Sequence, residues 1–284
     1  MPTVNVQRSD PPVLEIDGAP SRNLPRSLRE LWQFRDTIRA FAERDIRVKY
    51  KQAVLGIAWA VIQPLAFMAI FALTIGRLTN VEGDGAPYAA FSLSVLVPWT
   101  FLSTAVSFGA NGILADAAMV RRVYFPREVP VLGAVASASL DFAIGLALFV
   151  VIGPFLGAHV TAWWLLAPVL FVPLALLATA VALPFAALNV YYRDFRFALP
   201  FALQLWLFAS PVAYPLDTVP DEWREIYVAV NPAAGILDSF RRVLAVGEAP
   251  DPALLGISVL GLALIGSAGY FLFKRLEPNF ADVI

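Results

Sequence analysis

Four cations fall within eight residues: Arg44, Arg47, Lys49 and Lys51. That density suits phosphate, because a guanidinium fork reaches two oxygens at once and an ammonium adds a compact point charge. The cluster therefore reads either as an entrance site for the anionic head of a phosphate-bearing lipid or as an anchor on anionic headgroups, worth about 1 kcal/mol per cation. Other reactive groups are sparse. No GxxxxGK followed by Ser or Thr is present, so the chain has no phosphate-cradling loop with which to hydrolyse ATP. HExxH, DDxxD and DxD are absent, and the single His159 has no second ligand near it in sequence, which makes it a polar turn residue before it is a metal ligand. The lack of Cys excludes disulfides, iron–sulfur clusters and thiol catalysis.

The elements that position these groups are apolar. A membrane span needs about 20 apolar residues in a helix, since the hydrocarbon core offers no water to backbone amides and carbonyls. The composition, 59% hydrophobic and 15% charged, supplies such stretches six times: Leu55–Ile75, Ala89–Phe108, Val131–Leu156, Trp163–Leu188, Phe197–Tyr214 and Ala253–Phe273. Phe142 to Tyr192 contains no charged residue, far too long for one span, so Gly153, Pro154, Gly157, Ala158 and His159 are read as a turn between two. With the N-terminus inside, segments 1–54, 109–130, 189–196 and 274–284 hold ten, three, two and two Lys and Arg, seventeen in all. The outside holds four: Arg77, Arg224, Arg241 and Arg242. That asymmetry predicts cytoplasmic termini. Asp141, a third to halfway along the third stretch with Ser137 and Ser139 close by, is the one intramembrane charge. It is either a proton-relay carboxylate or a buried structural acid, and the lack of a second intramembrane charge favours the latter.

Outside the spans the chain divides simply. Residues 1–26, rich in Pro, Ser, Asp and Arg, are expected to form a mobile cytoplasmic tail. Over 27–53, Leu31, Phe34, Ile38 and Phe41 recur at helical spacing with Arg35, Arg39 and Glu43 on other faces, which predicts an amphipathic helix lying in the membrane interface; residues 54–284 form the six-span domain. Between spans two and three, ADAAMVRRVYFPREVP from Ala115 to Pro130 predicts a short helix with Val120, Val123 and Tyr124 on an apolar strip, Arg121 and Arg122 on a polar one, and Pro126 at its end. Such mixed exposure suits docking against another protein or partial burial in lipid headgroups. The outside segment Asp217–Asp251 carries two helix-like pieces. Trp223, Ile226, Tyr227 and Val230 make one stripe; after Asn231-Pro232, Ile236, Leu237, Phe240, Val243 and Leu244 make another beside Arg241 and Arg242.

Several segments together resemble one family, the integral membrane subunits of type-2 ATP-binding-cassette exporters of O-antigen, other cell-surface polysaccharides or teichoic acids. The most specific is RDIRVKYKQAVLGIAWAVIQPL at Arg44–Leu65. PYAAFSLSVLVPW, VRRVYFPREVP, VYYRDFR, SPVAYP, NPAAGILDSFRRVL and the terminal LEPNFADVI follow in matching order. The resemblance implies an all-α integral membrane protein of the bacterial inner membrane. Its six transmembrane helices would be joined by an N-terminal interface helix, a cytoplasmic coupling helix and an external re-entrant helical hairpin. It implies pairing with a second copy and with two separate ATP-binding subunits, which would carry the ATP and Mg; the chain itself would hold no cofactor and act on no nucleic acid. Ala115, Asp116, Met119, Val120, Arg121, Arg122, Tyr124 and Phe125 would then belong to the coupling surface, with Arg193 and Asp194 of the YRD turn close to it. Trp223, Tyr227, Phe240, Arg241 and Arg242 would belong to an outer gate.

A channel for a lipid-linked glycan would be lined by flat rings that stack on sugar faces. Trp59, Phe67, Phe71, Phe91, Trp99, Phe101, Trp206 and Phe208 are the candidates, each with the ordinary alternative of facing lipid or packing. An exporter of a small lipid or drug shares the implied fold, and a lipid-processing membrane enzyme is a third reading.

Overall fold

The computed structural model describes residues 24–51, 56, 58–76 and 85–283. The expected tail up to residue 23, the start of the first stretch at Leu55 and the outside cation Arg77 lie outside the described residues. Twelve α-helices are present among the described residues: α1 Leu24–Gln33, α2 Arg35–Lys51, α3 Ala58–Phe71, α4 Tyr88–Ala115, α5 Ala117–Val120, α6 Val129–Ile152, α7 Ala167–Tyr191, α8 Phe195–Phe208, α9 Asp221–Val230, α10 Pro232–Arg241, α11 Pro252–Leu276 and α12 Phe280–Val283.

Four helical segments are long and apolar enough to cross a membrane: Tyr88–Ala115, Val129–Leu156, Ala162–Tyr191 and Pro252–Asn279. The apolar window of α4 is 78% buried, whereas those of the other three are 22–39% buried, so α4 is the central post of the chain. It packs against α6, α7, α3, α10 and α8. Around it Phe101, Phe142, Phe171 and Phe240 interlock, with Phe142 stacked on Phe171 at 4.6 Å and Phe101 edge-on to Phe171 at 4.9 Å. A second apolar cluster closes one end of the bundle, where Phe41, Ile113, Val120, Phe125, Val129, Phe273 and Phe280 meet.

The charge-free run does divide at the Gly/Pro cluster. A 3₁₀ turn at Gly153–Leu156 runs into Gly157 at φ 89°, and a Cβ on Gly157 would stand 2.6 Å from the Pro87 ring, so the position requires glycine. His159 closes this turn: its backbone N–H donates to the Ala245 carbonyl at 3.0 Å, and its Nδ1 lies 3.0 Å from the Val246 carbonyl oxygen.

Two stretches are not regular α-helix throughout. The fifth, expected to reach Tyr214, is helical only through Phe208, because Pro211 and Pro215 lack donors and restrict the residues before them. The first passes from α3 into a wide π turn at Ala72–Gly76.

The amphipathic stripe Leu31, Phe34, Ile38 and Phe41 packs against the end cluster, so protein receives the face that sequence reasoning had left to the headgroups. Close approach explains this seating of α2. A Cβ at Gly133 of α6 would lie 2.7 Å from the Phe41 Cβ. Gly133→Ala is accordingly expected to cost about 1–3 kcal/mol through overpacking. A lowered thermal midpoint and faster amide exchange over Phe41–Tyr50 would show it; unchanged exchange would mean that α2 is not seated there.

Candidate functional site

The contact at Gly133 sets the register that places the cations. Moving eight residues along both helices, about 12 Å at 1.5 Å per residue, brings Lys49 and Tyr50 of α2 beside Asp141 of α6, where Lys49 pairs with one carboxylate oxygen and the Tyr50 hydroxyl donates to the other. Asp141 therefore has a charged partner, supplied by α2 rather than by one of the long apolar helices. Burial, and then the facing carboxylate, raise the pKa of Tyr50, which keeps its hydroxyl a donor. The ammonium also lies 5.7 Å from the centre of the Phe108 ring. Next to the pair is a cavity of about 50 Å³ lined by Trp59, Gln63, Thr100, Phe101 and Thr104, polar enough and large enough for a few waters.

The other cations do not form one patch. Arg44 grips Asp116 through both terminal nitrogens, with Nη2 to Oδ2 at 2.8 Å, and also reaches Asp45 at 2.8 Å. Hydrogen bonding to Asp116, opposed by burial and reinforced by Asp45, raises its pKa. Arg47 lies 3.3 Å from Glu43 on the exposed face, and Lys51 is exposed with no acidic partner among the described residues. Asp116, expected at the coupling surface, is thus held inward by Arg44.

The loop after α4 is only partly what its sequence predicts. The helix is a single turn, α5, and Val120 faces inward instead of joining Val123 and Tyr124 on an exposed strip. Phe125 is also buried, 5.8 Å from the Phe41 ring. Ala115, Met119, Arg121, Arg122, Val123 and Tyr124 remain exposed. The Tyr124 hydroxyl donates to Glu30 at 3.1 Å, and burial together with that carboxylate raises its pKa. Behind the loop, buried Glu128 accepts from Lys274 at 2.6 Å and from Tyr270 at 3.3 Å, while Lys274 also reaches Glu277 at 2.9 Å. Sequence reasoning missed this clamp; Glu and Lys at the starts and ends of spans look like ordinary interfacial charges. Arg193 and Asp194 are exposed at the same end. Arg193 and Arg196 line a groove of about 350 Å³ with Leu114, Asn189 and Phe197, and the Asn189 amide donates to the Ala110 carbonyl at 2.8 Å, tying α7 to α4.

The aromatic candidates separate into two groups. Phe71, Phe91, Trp99 and Phe101 are buried within the chain's own core and do not reach its surface as channel lining; short spacing to neighbouring helices holds them there, as in the edge-on contact of Trp99 with Trp206 at 5.8 Å. Trp59, Phe67 and Phe208 are exposed, and Trp206 is half-buried with its indole N–H donating to Asn231 at 2.9 Å.

The gate candidates separate likewise. All ten residues of α10 are buried, so Phe240 and Arg241 are interior. Arg241 and Asp238 are paired at 2.8 Å with side chains 2% and 5% exposed. Arg242 is partly exposed and bonds to Glu248 at 3.2 Å and to the Ala249 carbonyl at 3.0 Å. On α9, Trp223 is exposed and the Tyr227 hydroxyl donates to the Ala209 carbonyl at 2.7 Å; both rings line an apolar cavity of about 550 Å³ with Trp206, Ile226 and Ile265. Among the described residues no group of three or more His, Asp or Glu is arranged to hold a metal.

Residues 36–245 match the model of the ABC-2 type transporter family. The chain is 30% identical over 262 residues to the O-antigen export system permease protein RfbA of Myxococcus xanthus, covering 91% of this chain and 99% of that protein. It is 24% identical over 250 residues to a protein of the same name from Klebsiella pneumoniae, covering 88% and 95%. Against the polysialic acid transport protein KpsM of Escherichia coli the identity is 23% over 241 residues, covering 80% and 87%. With a family match across most of its length and a relative matched nearly end to end, this chain belongs to the ABC-2 type transporter family.

Proposed function

We propose that this chain is the membrane-spanning subunit of an ATP-driven exporter that moves a lipid-linked polysaccharide out of the cytoplasm across the bacterial inner membrane. The observation that carries this is the near end-to-end similarity to an O-antigen export permease. In this reading two copies join two ATP-binding subunits, which supply the ATP and Mg. The end bearing α1, α2 and α5 is cytoplasmic, as are both termini, in keeping with the excess of Lys and Arg in its segments.

The six-span count then takes in two short helices. At 14 residues α8 rises only about 21 Å, short of a core of about 30 Å. The non-helical turn that follows it, Ser210 to Ala213, is buried, which is the condition for irregular backbone at membrane depth. In the same reading α9 and α10 form the outer re-entrant hairpin, with α10 as its fixed arm and α9, through Trp223 and Tyr227, as the surface nearest the exit. Arg121, Arg122, Tyr124, Arg193 and Asp194 face the ATP-binding subunit, and Trp59, Phe67, Trp206 and Phe208 are the rings left to line a path between two copies.

The test is delivery of glycan to the cell surface. Cells lacking the chain are expected to retain lipid-linked glycan inside and to recover surface glycan when the chain is returned with an active ATP-binding partner. They should not recover with a partner unable to hydrolyse ATP. Recovery independent of that partner would remove the exporter reading, as would ATP hydrolysis by the purified chain alone.

A further inference from the structure

Every described cation of the 44–51 cluster except Lys51 is neutralised by a carboxylate of the same chain. A cluster so neutralised offers an incoming anion little unless one pair can open. The Lys49–Asp141 pair has the asymmetry needed: the lysine side chain is 33% exposed and the aspartate 11%. The cation sits on a flexible four-carbon stem at the end of α2, next to exposed Lys51, whereas the carboxylate is fixed within α6. Breaking a buried pair is costly when one charge is left alone. Asp141 would not be left alone, because the Tyr50 hydroxyl still donates to it, and Gln63, Thr100 and Thr104 line the cavity it faces.

We infer that Asp141 is a place-holding counter-ion that neutralises Lys49 until the phosphate head of a membrane lipid takes its place. The inference rests on the export reading for the identity of that lipid, but not for the exchange itself. A diphosphate head brings more charge and more acceptor oxygens to an ammonium than a carboxylate does. Exchange removes one side-chain contact between the end of α2 and Asp141 of α6, while the Tyr50 hydroxyl keeps the other in place.

The exchange can be read on the unaltered chain. A carbodiimide should join Lys49 to Asp141 as an amide in nanodiscs of neutral lipid, and a polyprenyl diphosphate should suppress that product. Suppression by phosphatidylglycerol as well assigns the phosphate to bilayer lipid in general; suppression by the polyprenyl compound alone assigns it to the lipid-linked substrate. An amide yield unaffected by saturating amounts of either lipid overturns the inference. In the same nanodiscs Asp141→Asn should tighten polyprenyl diphosphate binding about tenfold by freeing Lys49, and Lys49→Gln should weaken it by a similar factor. The double variant should bind like Lys49→Gln. A gain that persists without Lys49 is the contrary result, as is no gain in an Asp141→Asn chain whose thermal midpoint is unchanged. Failure of export is read separately, from surface glycan in cells, and leaves this exchange standing or falling on its own.

Discussion

Arg241→Gln is expected to remove most of the folded protein. Arg241 and Asp238 lie one turn apart on α10, paired at 2.8 Å with side chains 2% and 5% exposed, and α10 is packed among α11, α4, α7 and α9. Truncating the guanidinium takes an ion-pair partner from a carboxylate that is only 5% exposed. Such half-broken buried pairs cost about 3–5 kcal/mol, a large part of the roughly 5–15 kcal/mol that holds an ordinary domain folded. Asp217, 4.0 Å from the guanidinium, would lose a partner as well. Monodisperse yield in detergent and the thermal midpoint report the loss. Replacing both partners, Asp238→Leu with Arg241→Met, should recover part of it, because neither charge of the pair then remains buried. The neighbouring Arg242 is the control: its pair with Glu248 is partly solvated, so Arg242→Gln should cost under about 1 kcal/mol. Equal effects at the two positions would contradict the burial of α10.

Reversing the charge at both Arg121 and Arg122 is expected to uncouple ATP hydrolysis from glycan delivery while the permease itself stays folded. Both side chains are exposed beside α5, flanked by exposed Met119, Val123 and Tyr124. A surface of that kind gains nothing for the fold, so its loss should fall on association. Like charges brought together across an interface cost several kcal/mol, enough for a drop of about a hundredfold or more in recovery of the ATP-binding subunit with the chain. Val120→Asp, by contrast, should damage folding, since Val120 is buried in the end cluster. Normal recovery of the partner with the doubly reversed chain would move the coupling surface elsewhere, the exposed Arg193–Asp194 turn being the next place to test.

Different parts of this outcome were legible to different degrees, for physical reasons. The break in the uncharged run was plain because proline restricts the backbone and glycine frees it, and Gly157 occupies the left-handed region that glycine takes easily. The centrality of α4 was not, because lipid and protein interior are both apolar, so a helix surrounded by protein and one facing lipid share a composition; no stripe marks its buried face. Hydrophobic spacing did find Leu31, Phe34, Ile38 and Phe41 as one face, but not what covers it, which is a property of Gly133 some ninety residues on. The same distance hid the partner of Asp141. Arg241 and Arg242 are identical in type and adjacent in sequence, yet one is interior and the other reaches solvent; helical phase alone separates them. Tyr124 and Phe125, adjacent in an irregular segment, divide too, one exposed and the other buried. Order and spacing of short segments identified the family where no single residue could.

The burial of α10 also bears on how the protein is made. The ribosome releases α9 and α10 before α11, yet α11 supplies much of the wall on which α10 rests: a Cβ at Gly235 would stand 2.2 Å from the Ser258 hydroxyl, and one at Gly261 would stand 2.6 Å from the Ala229 carbonyl. At about 5–20 residues per second, the chain spends seconds with α10 completed and the α11 side of its seat missing, only α4, α7 and α9 being in place. At ten residues, about 15 Å, α10 is too short to cross a bilayer by itself, and its seat is complete only once Pro252–Leu276 has been made. Its docking is then a late event in biogenesis, and a chain stalled near residue 251 would hold α10 with one wall of its seat missing.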